Sequence, residues 1–500
     1  MSFDKPNVVI PLAASYNERN VHGYNAMTGG FDQRKINSMY EPITNSLTGE
    51  TTLYLKKRPG VSIIGSTFGD ADQVAYFVTL SAGFTGVGTA NHWVLSVSTS
   101  THRVSDNSNT TTYVTTSSTA YHPAYVDHFS INAVDHVVIQ LRPGASLRQR
   151  VFYASSFSGI TEITDTDFNT TTHDMVGKME FMDGYAFYLT DTGRIYNSDI
   201  NTISTWDAAN FITKQMEADL SRGLMRLGNQ ILAFGTRTVE VFYNAGLSGA
   251  PLLPIKQLSQ RIGIQTPLIA GQTQYYAKSG RRLYFVGIEG DEFTRSAMSY
   301  DGSRFEYIGT PAIDKIFSSK NVFSVNSIGV GGTPAIAFSL DLTTATTQRW
   351  MVFFPQYKEW FEWESNVFTP VNSGVFHLGV GSNQNRLYDF TATDNWLDES
   401  TQYTMTHQFL LPSGGHHFKK MPICGVIGDT TASTSTSNLG VEFSDDDFQS
   451  FTAVQNIDMT QARKVLTRQG SWRGERAVRL TNTANLDCRL RMFFAQIVEK

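Results

Sequence analysis

The sequence feature that most constrains the fold is a pair of apolar runs bounded by glycines near the middle of the chain. Residues 223–246 read GLMRLGNQILAFGTRTVEVFYNAG. Gln230 to Phe234 forms one run, Gly235-Thr236-Arg237 a short turn, and Thr238 to Tyr243 a second run rich in β-branched and aromatic residues. Neither run keeps the spacing of an amphipathic helix over enough residues to favour a helix, so the segment predicts a β-hairpin. We expect Phe234 and Val241 to be buried in it, on opposite faces of the sheet.

The same pattern of runs and glycine turns recurs in weaker form along the chain. It is visible in residues 179–198 (MEFMDGYAFYLTDTGRIYNS), 275–300 (YYAKSGRRLYFVGIEGDEFTRSAMSY) and 350–363 (WMVFFPQYKEWFEW). Successive units begin roughly 40 to 50 residues apart, a period typical of propeller blades. Because one small sheet cannot bury both of its faces alone, neighbouring units must share a core. The sequence therefore predicts an all-β fold containing a β-propeller of about six to eight blades.

Three regions are predicted. Residues 1–60 lack the blade pattern and form an N-terminal extended arm with short strands, and residues 61–397 form the propeller. The Ser/Thr-rich stretch 96–119 within it is interpreted as an exposed hairpin or outer loop. Residues 398–500 keep a rhythm of strands and turns without the blade pattern, which predicts a separate β-sandwich-like domain. One short helix is expected over Pro311 to Phe317.

Composition narrows the classes of function. Only 17% of the residues are charged and the net charge is −5, which does not predict tight nucleic-acid binding, since such binding needs a clustered basic surface. The two cysteines, Cys424 and Cys488, are too few for a disulfide framework and fit a reducing cytoplasm. The N-terminus does not read as a signal peptide, and no apolar run is long enough for a membrane span.

Motifs for catalysis are incomplete. Residues 246–250 (GLSGA) approach a nucleophile elbow, but the last glycine is replaced by alanine. The Gly-x-Gly pairs at 86–88 and 379–381 lack the third glycine and a following helix. Residues 165–169 (DTDFN) begin like a calcium loop that then loses its glycine and closing glutamate. We therefore predict no catalytic residues and no cofactor.

Two further patterns are better explained as ordinary strand and turn residues than as a metal site or an active site. His416 and His417 with His407 could ligate a metal, but adjacent histidines on a strand point to opposite faces, so no metal site is predicted. Residues 444–451 (SDDDFQSF) resemble an Asp-box turn with Phe448 where that box has glycine. We interpret them as a hairpin turn whose aspartates cap backbone N–H groups.

A basic segment near the C-terminus is the candidate interface. It combines a tryptophan with several arginines, a pairing enriched in protein interfaces. These arginines could dock an acidic partner surface or track phosphates, or they could be outward-facing side chains balanced by the nearby aspartates 445–447. Because same-face spacing on a strand is two, the three arginines cannot share one face, and we expect some of them at the turn 470–474. The candidate residues are Trp472, Arg473, Arg476 and Arg479.

The order and spacing of several phrases resemble a known family. These phrases are 40–42 (YEP), 58–60 (RPG), 204–211 (STWDAANF), 227–246, 262–264 (IGI), 283–286 (LYFV), 299–302 (SYDG) and Ile313. Over roughly residues 36–317 the chain is similar to the packaged-DNA-stabilisation protein of short-tailed bacteriophages, the tail hub or nozzle below the portal. Residues 443–498 match it more loosely, and the Ser/Thr-rich stretch 96–119 departs from it.

The resemblance implies a structural virion protein without catalytic residues. It implies a homo-oligomeric ring, expected to be a hexamer, below the portal and its adaptor ring, assembled in the host cytoplasm. Such a ring closes the DNA channel after packaging, carries the tail needle and fibres or spikes, and lets genomic DNA pass without sequence-specific binding. Two other classes stay open on the residues alone: a sialidase- or glycosidase-like propeller acting on host glycans, and a receptor-binding propeller adhesin.

Overall fold

The computed structural model divides the chain into two compact units. One comprises residues 1–62, 349–367 and 390–500, here called the discontinuous unit, and the other comprises residues 63–348 and 368–389, here called the propeller unit. The residues that the structure describes are 7–13, 24–25, 30–31, 34–44, 46, 48–64, 73–79, 92–97, 101–105, 112–117, 121–131, 134–143, 150–156, 159–168, 175–265, 275–290, 294–320, 322–340, 347–370, 376–379, 386–390, 396–411, 417–429, 437–446, 448–462 and 464–499.

This division differs from the one expected from the sequence. The two ends of the chain belong to one unit, and residues 349–367 join them. Strand pairing explains the difference, because β-sheets join segments that are far apart in the sequence. The N-terminal strands are β1 (Val8–Pro11), β2 (Tyr24–Asn25), β3 (Gly30–Phe31), β4 (Lys35–Ile36), β5 (Ser38–Thr44), β6 (Thr51–Lys57) and β7 (Ser62–Ile64).

The propeller unit is built from successive small antiparallel sheets. The first two contain β8 (Gln73–Thr79), β9 (His92–Val97), β10 (Thr101–Ser105) and β11 (Thr112–Ser117), then β12 (Tyr121–Ile131), β13 (Val134–Pro143), β14 (Arg150–Ser156) and β15 (Gly159–Glu162). The third and fourth contain β16 (Met175–Met182), β17 (Tyr185–Thr190), β18 (Arg194–Ser198) and β19 (Trp206–Thr213), then β20 (Ser221–Leu227), β21 (Gln230–Gly235), β22 (Val239–Asn244) and β23 (Leu252–Pro254). The fifth contains β24 (Gly263–Ile264), β25 (Tyr276–Ser279), β26 (Arg282–Ile288), β27 (Arg295–Tyr300) and β28 (Phe305–Tyr307), and helix α1 (Pro311–Ser319) follows it.

The remaining elements complete both units. β29 (Val322–Val330) pairs with β30 (Thr333–Leu340) in the propeller unit. β31 (Gln348–Phe354) and β32 (Glu359–Ser365) come next, followed by β33 (Phe368–Pro370), β34 (Phe376–Gly379) and β35 (Leu387–Asp389). The C-terminal strands are β36 (Leu397–Asp398), β37 (Thr401–Gln402), β38 (Met405–Leu410), β39 (Phe418–Gly428), β40 (Asn438–Ser444), β41 (Gln455–Asp458), β42 (Val465–Thr467), β43 (Ser471–Arg473), β44 (Ala477–Asn482) and β45 (Arg489–Glu499).

The propeller unit has the construction of a β-propeller. In each of the first four sheets the strands pair in chain order, as in a meander, and the last sheet has the order β33-β34-β35-β7. Strand β7, from the start of the unit, therefore completes a sheet whose other strands come from its end. The described part of this unit contains six such sheets and the β29-β30 pair, which agrees with the expected all-β propeller. Within the Ser/Thr-rich stretch, β10 pairs with β11 at the outer side of the first sheet, and residues 98–100, 106–111 and 118–119 lie outside the described residues.

The hairpin predicted in the middle of the chain is confirmed as β21 and β22. Phe234 and Val241 are both completely buried, as expected. Their predicted placement on opposite faces is wrong, because the register pairs Phe234 with Val239 and Leu232 with Val241. Paired residues share a face and so do residues two apart, which puts all four side chains in one core cluster.

Alternation along these strands builds two cores on the two faces of the fourth sheet. On one face, Phe234 packs against Phe285 of the fifth sheet with 5.1 Å between ring centroids. On the other, Ile231 and Phe242 pack with Leu189 of the third sheet. The sheet is thus covered on both sides, which is why its strands read as continuous apolar runs.

The discontinuous unit consists mainly of two sheets packed face to face. One has the order β42-β39-β45-β6-β5, with β1 paired to β45 and β43 to β39, and the other contains β31-β32-β4-β38-β44-β40-β41. Ring contacts join the sheets: Tyr40 meets Phe361 at 5.0 Å and Phe409 meets Phe493 at 5.3 Å. The C-terminal region is therefore sandwich-like, as predicted, and the N-terminal strands contribute to both of its sheets.

Helix α1 forms where the sequence predicts it. Thr310 has extended backbone angles and its side chain accepts from the Ile313 amide, which caps the first turn, while Pro311 occupies the first helical position. The helix extends to Ser319, two residues beyond the predicted end, and buries Ile313 and Phe317. Among the described residues, no helix combines the length and hydrophobicity needed to cross a membrane.

Candidate functional site

Strands β12, β16, β20 and β25, from four consecutive sheets, converge in the propeller unit. A Cβ on Gly177 of β16 would lie 2.6 Å from the Cα of Gly223 of β20, so the two backbones approach more closely than any larger residue would allow. The Tyr275 hydroxyl donates to the Leu224 carbonyl at 2.7 Å and accepts from the Lys178 amide at 3.2 Å. Buried hydrogen bonds therefore fix the spacing of β16, β20 and the start of β25.

A charged cavity of about 210 Å³ lies among these strands. Its polar lining comes from strands β12, β16, β20 and β25, whose period-2 alternation brings Lys178 and Glu180 to the same face of β16. The side chains that carry charge or a hydroxyl there are Asp127, Lys178, Glu180, Arg226, Tyr276 and Lys278, with His128 beside them.

Three polar contacts organise this cluster. Lys178 Nζ lies 2.6 Å from Asp127 Oδ2 and donates to the Tyr276 hydroxyl at 3.4 Å. The Tyr276 hydroxyl in turn donates to Glu180 Oε1. Lys178, Glu180 and Tyr276 are all buried, so each of these charge-assisted bonds operates away from bulk water.

Burial and neighbouring charges shift the pKa values of Glu180 and Lys178. Burial raises the pKa of Glu180 to about 7, although Lys178 and the Tyr276 hydroxyl act in the opposite direction. Burial by itself lowers the pKa of Lys178, but the adjacent Asp127 and Glu180 carboxylates raise it above its usual value. The cluster therefore holds a fixed cation beside a carboxyl group that titrates near neutrality.

The Arg226 side chain forms no ion pair among the described residues, although its charge opposes the rise in the pKa of the nearby Glu180 carboxyl group. It donates to the backbone carbonyls of Phe181 and Gly228, at 3.0 Å for the bond to Gly228. Lys278 is exposed at the end of β25 and likewise has no ion pair within the described part of the chain. Sequence reasoning missed this cluster. The available signal was the pair of charges at Lys178 and Glu180 inside an otherwise apolar strand.

The predicted interface residues near the C-terminus separate into buried and exposed side chains. Trp472 and Arg476 are 3% and 4% exposed, and the Arg476 guanidinium stacks on the Trp472 ring at 4.1 Å. Arg476 also forms two hydrogen bonds of 2.6 Å with the Asp445 carboxylate. These two residues are therefore part of the interior of the discontinuous unit.

The other two candidates lie closer to solvent. Arg479 is half-buried, makes a two-pronged contact of 2.7 and 2.6 Å with Glu442 and covers the Phe451 ring at 3.8 Å. Arg473 is exposed and lies 4.4 Å from the ring centroid of Phe418, which is itself 50% exposed. The structure brings Trp472, Arg476 and Asp445 together, and it leaves Arg473 with Phe418 as the accessible part of the predicted interface.

The remaining sequence candidates occupy structural positions. His407 is buried, and burial lowers its pKa to about 3, while His416 lies outside the described residues. The described residues contain no group of three or more side chains arranged to hold a metal ion. In the Asp-box-like turn, Asp446 accepts from the Ser450 amide at 2.9 Å, and Phe448 has φ 63°, the left-handed region that glycine favours. The predicted capped turn is thus confirmed.

Comparisons with solved structures return distant similarities. The exo-β-1,3-galactanase from Phanerochaete chrysosporium is 8% identical, with 76% of this chain and 97% of that chain covered and a TM-score of 0.31. The Nup133 β-propeller domain of Vanderwaltozyma polyspora is 9% identical, with 70% and 99% covered and a TM-score of 0.34. YCF48 bound to D1 peptide is 13% identical, with 66% and 96% covered and a TM-score of 0.35. No curated protein has a significant sequence match to the chain.

The successive meander sheets and the convergence of β12, β16, β20 and β25 define the chain as a β-propeller protein. The sequence model of one family, described as bacteriophage P22 Gp10, beta-propeller, matches residues 68–328, just over half of the 500 residues. The chain belongs to this family. It is a bacteriophage structural protein and a component of the virion, and the family resemblance expected from the sequence is confirmed.

Proposed function

We propose that the protein is the tail hub, or nozzle, of a short-tailed bacteriophage. In this role it forms a ring, expected to be hexameric, below the portal and its adaptor ring. The ring closes the DNA channel after packaging, anchors the tail needle and the fibres or spikes, and conducts the genome during ejection. The observation that carries the proposal is the family match over the sheets of the propeller unit.

The charge of the chain is compatible with passage of DNA. Each copy has a net charge of −5, so six copies would carry about −30, and a DNA duplex would be repelled on average and not retained. The family's structural role supports a non-enzymatic function. The exposed Arg473 and Phe418 are available to another tail component in this proposal, whereas Trp472 and Arg476 support them from inside.

Imaging the purified full chain by negative-stain electron microscopy tests the proposal. We expect rings with a central channel, and tails that contain this protein at the position between adaptor and needle. Monomers at every concentration, together with virions that lack the protein, would contradict it.

One observation favours an enzymatic alternative. A glycoside hydrolase needs two carboxyl groups in one cleft, one of them protonated near neutral pH. Asp127 and Glu180 line the same cavity, and the pKa of Glu180 is about 7. Release of sugar from host glycans by the wild type, lost in Glu180→Gln, would favour this alternative over the hub.

A further inference from the structure

The cavity among β12, β16, β20 and β25 has the features of a binding site. Its volume of about 210 Å³ is well above the roughly 10–15 Å³ that a single water needs. A hydrated ion of several atoms therefore fits, while a DNA duplex, about 20 Å wide, does not.

The charges around the cavity are unequal. Three cationic side chains face it, Lys178, Arg226 and Lys278, against two carboxyl groups. Asp127 is already paired with Lys178 at 2.6 Å, and Glu180 accepts from the Tyr276 hydroxyl. The surplus of positive charge thus rests on Arg226 and Lys278, which form no ion pair among the described residues, although the Arg226 charge also acts on Glu180 at longer range.

We propose that this cavity binds a small oxyanion of the phosphate or sulfate class, held by Arg226 and Lys278 with the buried Lys178 behind them. The planar guanidinium presents paired N–H donors that match two oxygens of such an anion, and the lysine ammonium groups supply point charges. The inference goes beyond the proposed hub function and can be tested on the isolated protein, whether or not rings form.

The neighbouring carboxyl group couples this binding to protons. The titratable and charged groups facing the cavity are Asp127 and His128 from β12, Lys178 and Glu180 from β16, Arg226 from β20, and Tyr276 and Lys278 from β25. Glu180 is the group with a pKa near 7, and an anion bound beside it favours its neutral form. Binding should therefore take up protons near neutral pH and weaken as the pH rises above 7.

The test is calorimetric titration of the full chain with sodium sulfate at constant ionic strength. Sulfate keeps its charge between pH 5 and 9, so any proton uptake belongs to the protein. We expect saturable binding that weakens about 10- to 100-fold in Arg226→Gln and in Lys278→Gln, the range expected for losing one charge-assisted contact. Lys278 is exposed, so its variant should fold even if the Arg226 variant does not.

Arg222→Gln is the matched control, because Arg222 lies on β20 with Arg226 but does not line the cavity. Inorganic phosphate should compete with sulfate. A short single-stranded oligonucleotide is titrated as well, because its binding would show whether the cavity takes a phosphodiester of a nucleic-acid backbone instead of a free anion. Absence of sulfate binding, equal binding by the Lys278 variant, or binding of the oligonucleotide alone would overturn the proposal.

Discussion

The Arg58 guanidinium and the Asp398 carboxylate form two hydrogen bonds of 2.8 and 2.6 Å while both side chains are almost completely buried. The two residues are 340 positions apart in the sequence. Arg58 also donates to Asn37 Oδ1 at 3.1 Å and lies 3.9 Å from the ring centroid of Tyr403. The pair therefore joins the N-terminal and C-terminal segments within the discontinuous unit.

Removing one partner of this pair should cost more than removing both. We expect Asp398→Asn to lower the free energy of unfolding by about 3–5 kcal/mol, because it leaves the Arg58 charge buried without its counter-ion. The double variant Arg58→Met with Asp398→Leu should recover much of this loss, since no charge is then buried. Chemical unfolding of the three proteins measures the difference, and equal stability of Asp398→Asn and the wild type would contradict the expectation.

The fourth sheet of the propeller unit supplies a test of core packing. Truncating Phe234 to Ala should lower the free energy of unfolding by about 3–5 kcal/mol, and Val241→Ala somewhat less, because both side chains are fully buried in one cluster. Tyr243→Ala on the same hairpin is the control, since Tyr243 is 37% exposed. An unchanged melting temperature in Phe234→Ala would refute the packing described here.

Both cysteines should be inert in the native protein. Cys424 and Cys488 are free and buried, and burial raises the pKa of each thiol to about 12. A thiol reagent at pH 8 should therefore modify neither cysteine in the folded chain and both cysteines after denaturation. The double variant Cys424→Ala with Cys488→Ala should assemble normally. Loss of particles in that variant would count against this prediction, and so would dissociation of wild-type assemblies by a reductant.

Protonation of Glu180 should stabilise the folded chain. Because its folded pKa of about 7 lies above its ordinary value near 4.5, the native state binds the proton more tightly than the unfolded state. Stability should then fall as the pH rises from 4.5 to 7, by about 3 kcal/mol for a difference of this size. Glu180→Gln should lose this dependence and exceed the wild type at pH 8, as measured by urea unfolding.

Glu217→Gln is the matched control for that experiment, because it removes a half-buried carboxylate, paired with Arg261, from the same unit without touching the cavity. It should keep the wild-type dependence on pH. A Glu180→Gln protein whose stability still falls between pH 4.5 and 7 would show that another group is responsible.

The docking role of the C-terminal segment is best tested at Arg473 alone. Reversing the charge of Arg476 would break its pair with Asp445 and place an unpaired carboxylate at a buried position, which would destabilise the fold. Arg473→Glu should leave folding intact but reduce the yield of complete tails, and added salt should weaken the wild-type contact. Arg237→Glu, at an exposed arginine of the propeller unit, is the control. Infectious particles at the normal level with Arg473→Glu would mean that this arginine is not part of an interface.

Local patterns made the propeller predictable. The apolar runs and glycine turns around Phe234 identify strands, because a strand that is covered on both faces appears as a short continuous apolar run in the sequence. The face of the sheet on which Val241 lies depends on the register between β21 and β22. The three-residue turn in the sequence does not specify that register. The short helix at Pro311 was likewise visible from local sequence, since its cap and first residue are adjacent.

The charged groups could not be located in this way. Glu180 meets Tyr276 across 96 residues, and Arg476 meets Asp445 across 31. No sequence pattern specifies which carboxylate a given cation will meet once strands are brought together. The Trp and Arg content near residue 472 suggested an interface, but only the fold separates the buried Arg476 from the exposed Arg473.

The pairing of β7 with β35 constrains how the nascent chain can mature on the ribosome. The last sheet of the propeller unit cannot be completed until residues 387–389 have been made, although its strand β7 is made much earlier. At about 5–20 residues per second, synthesis of the segment between them takes roughly 16–65 seconds. During that interval the edges of the unfinished unit are exposed to other chains. Only a chain translated past residue 389 can complete its own last sheet.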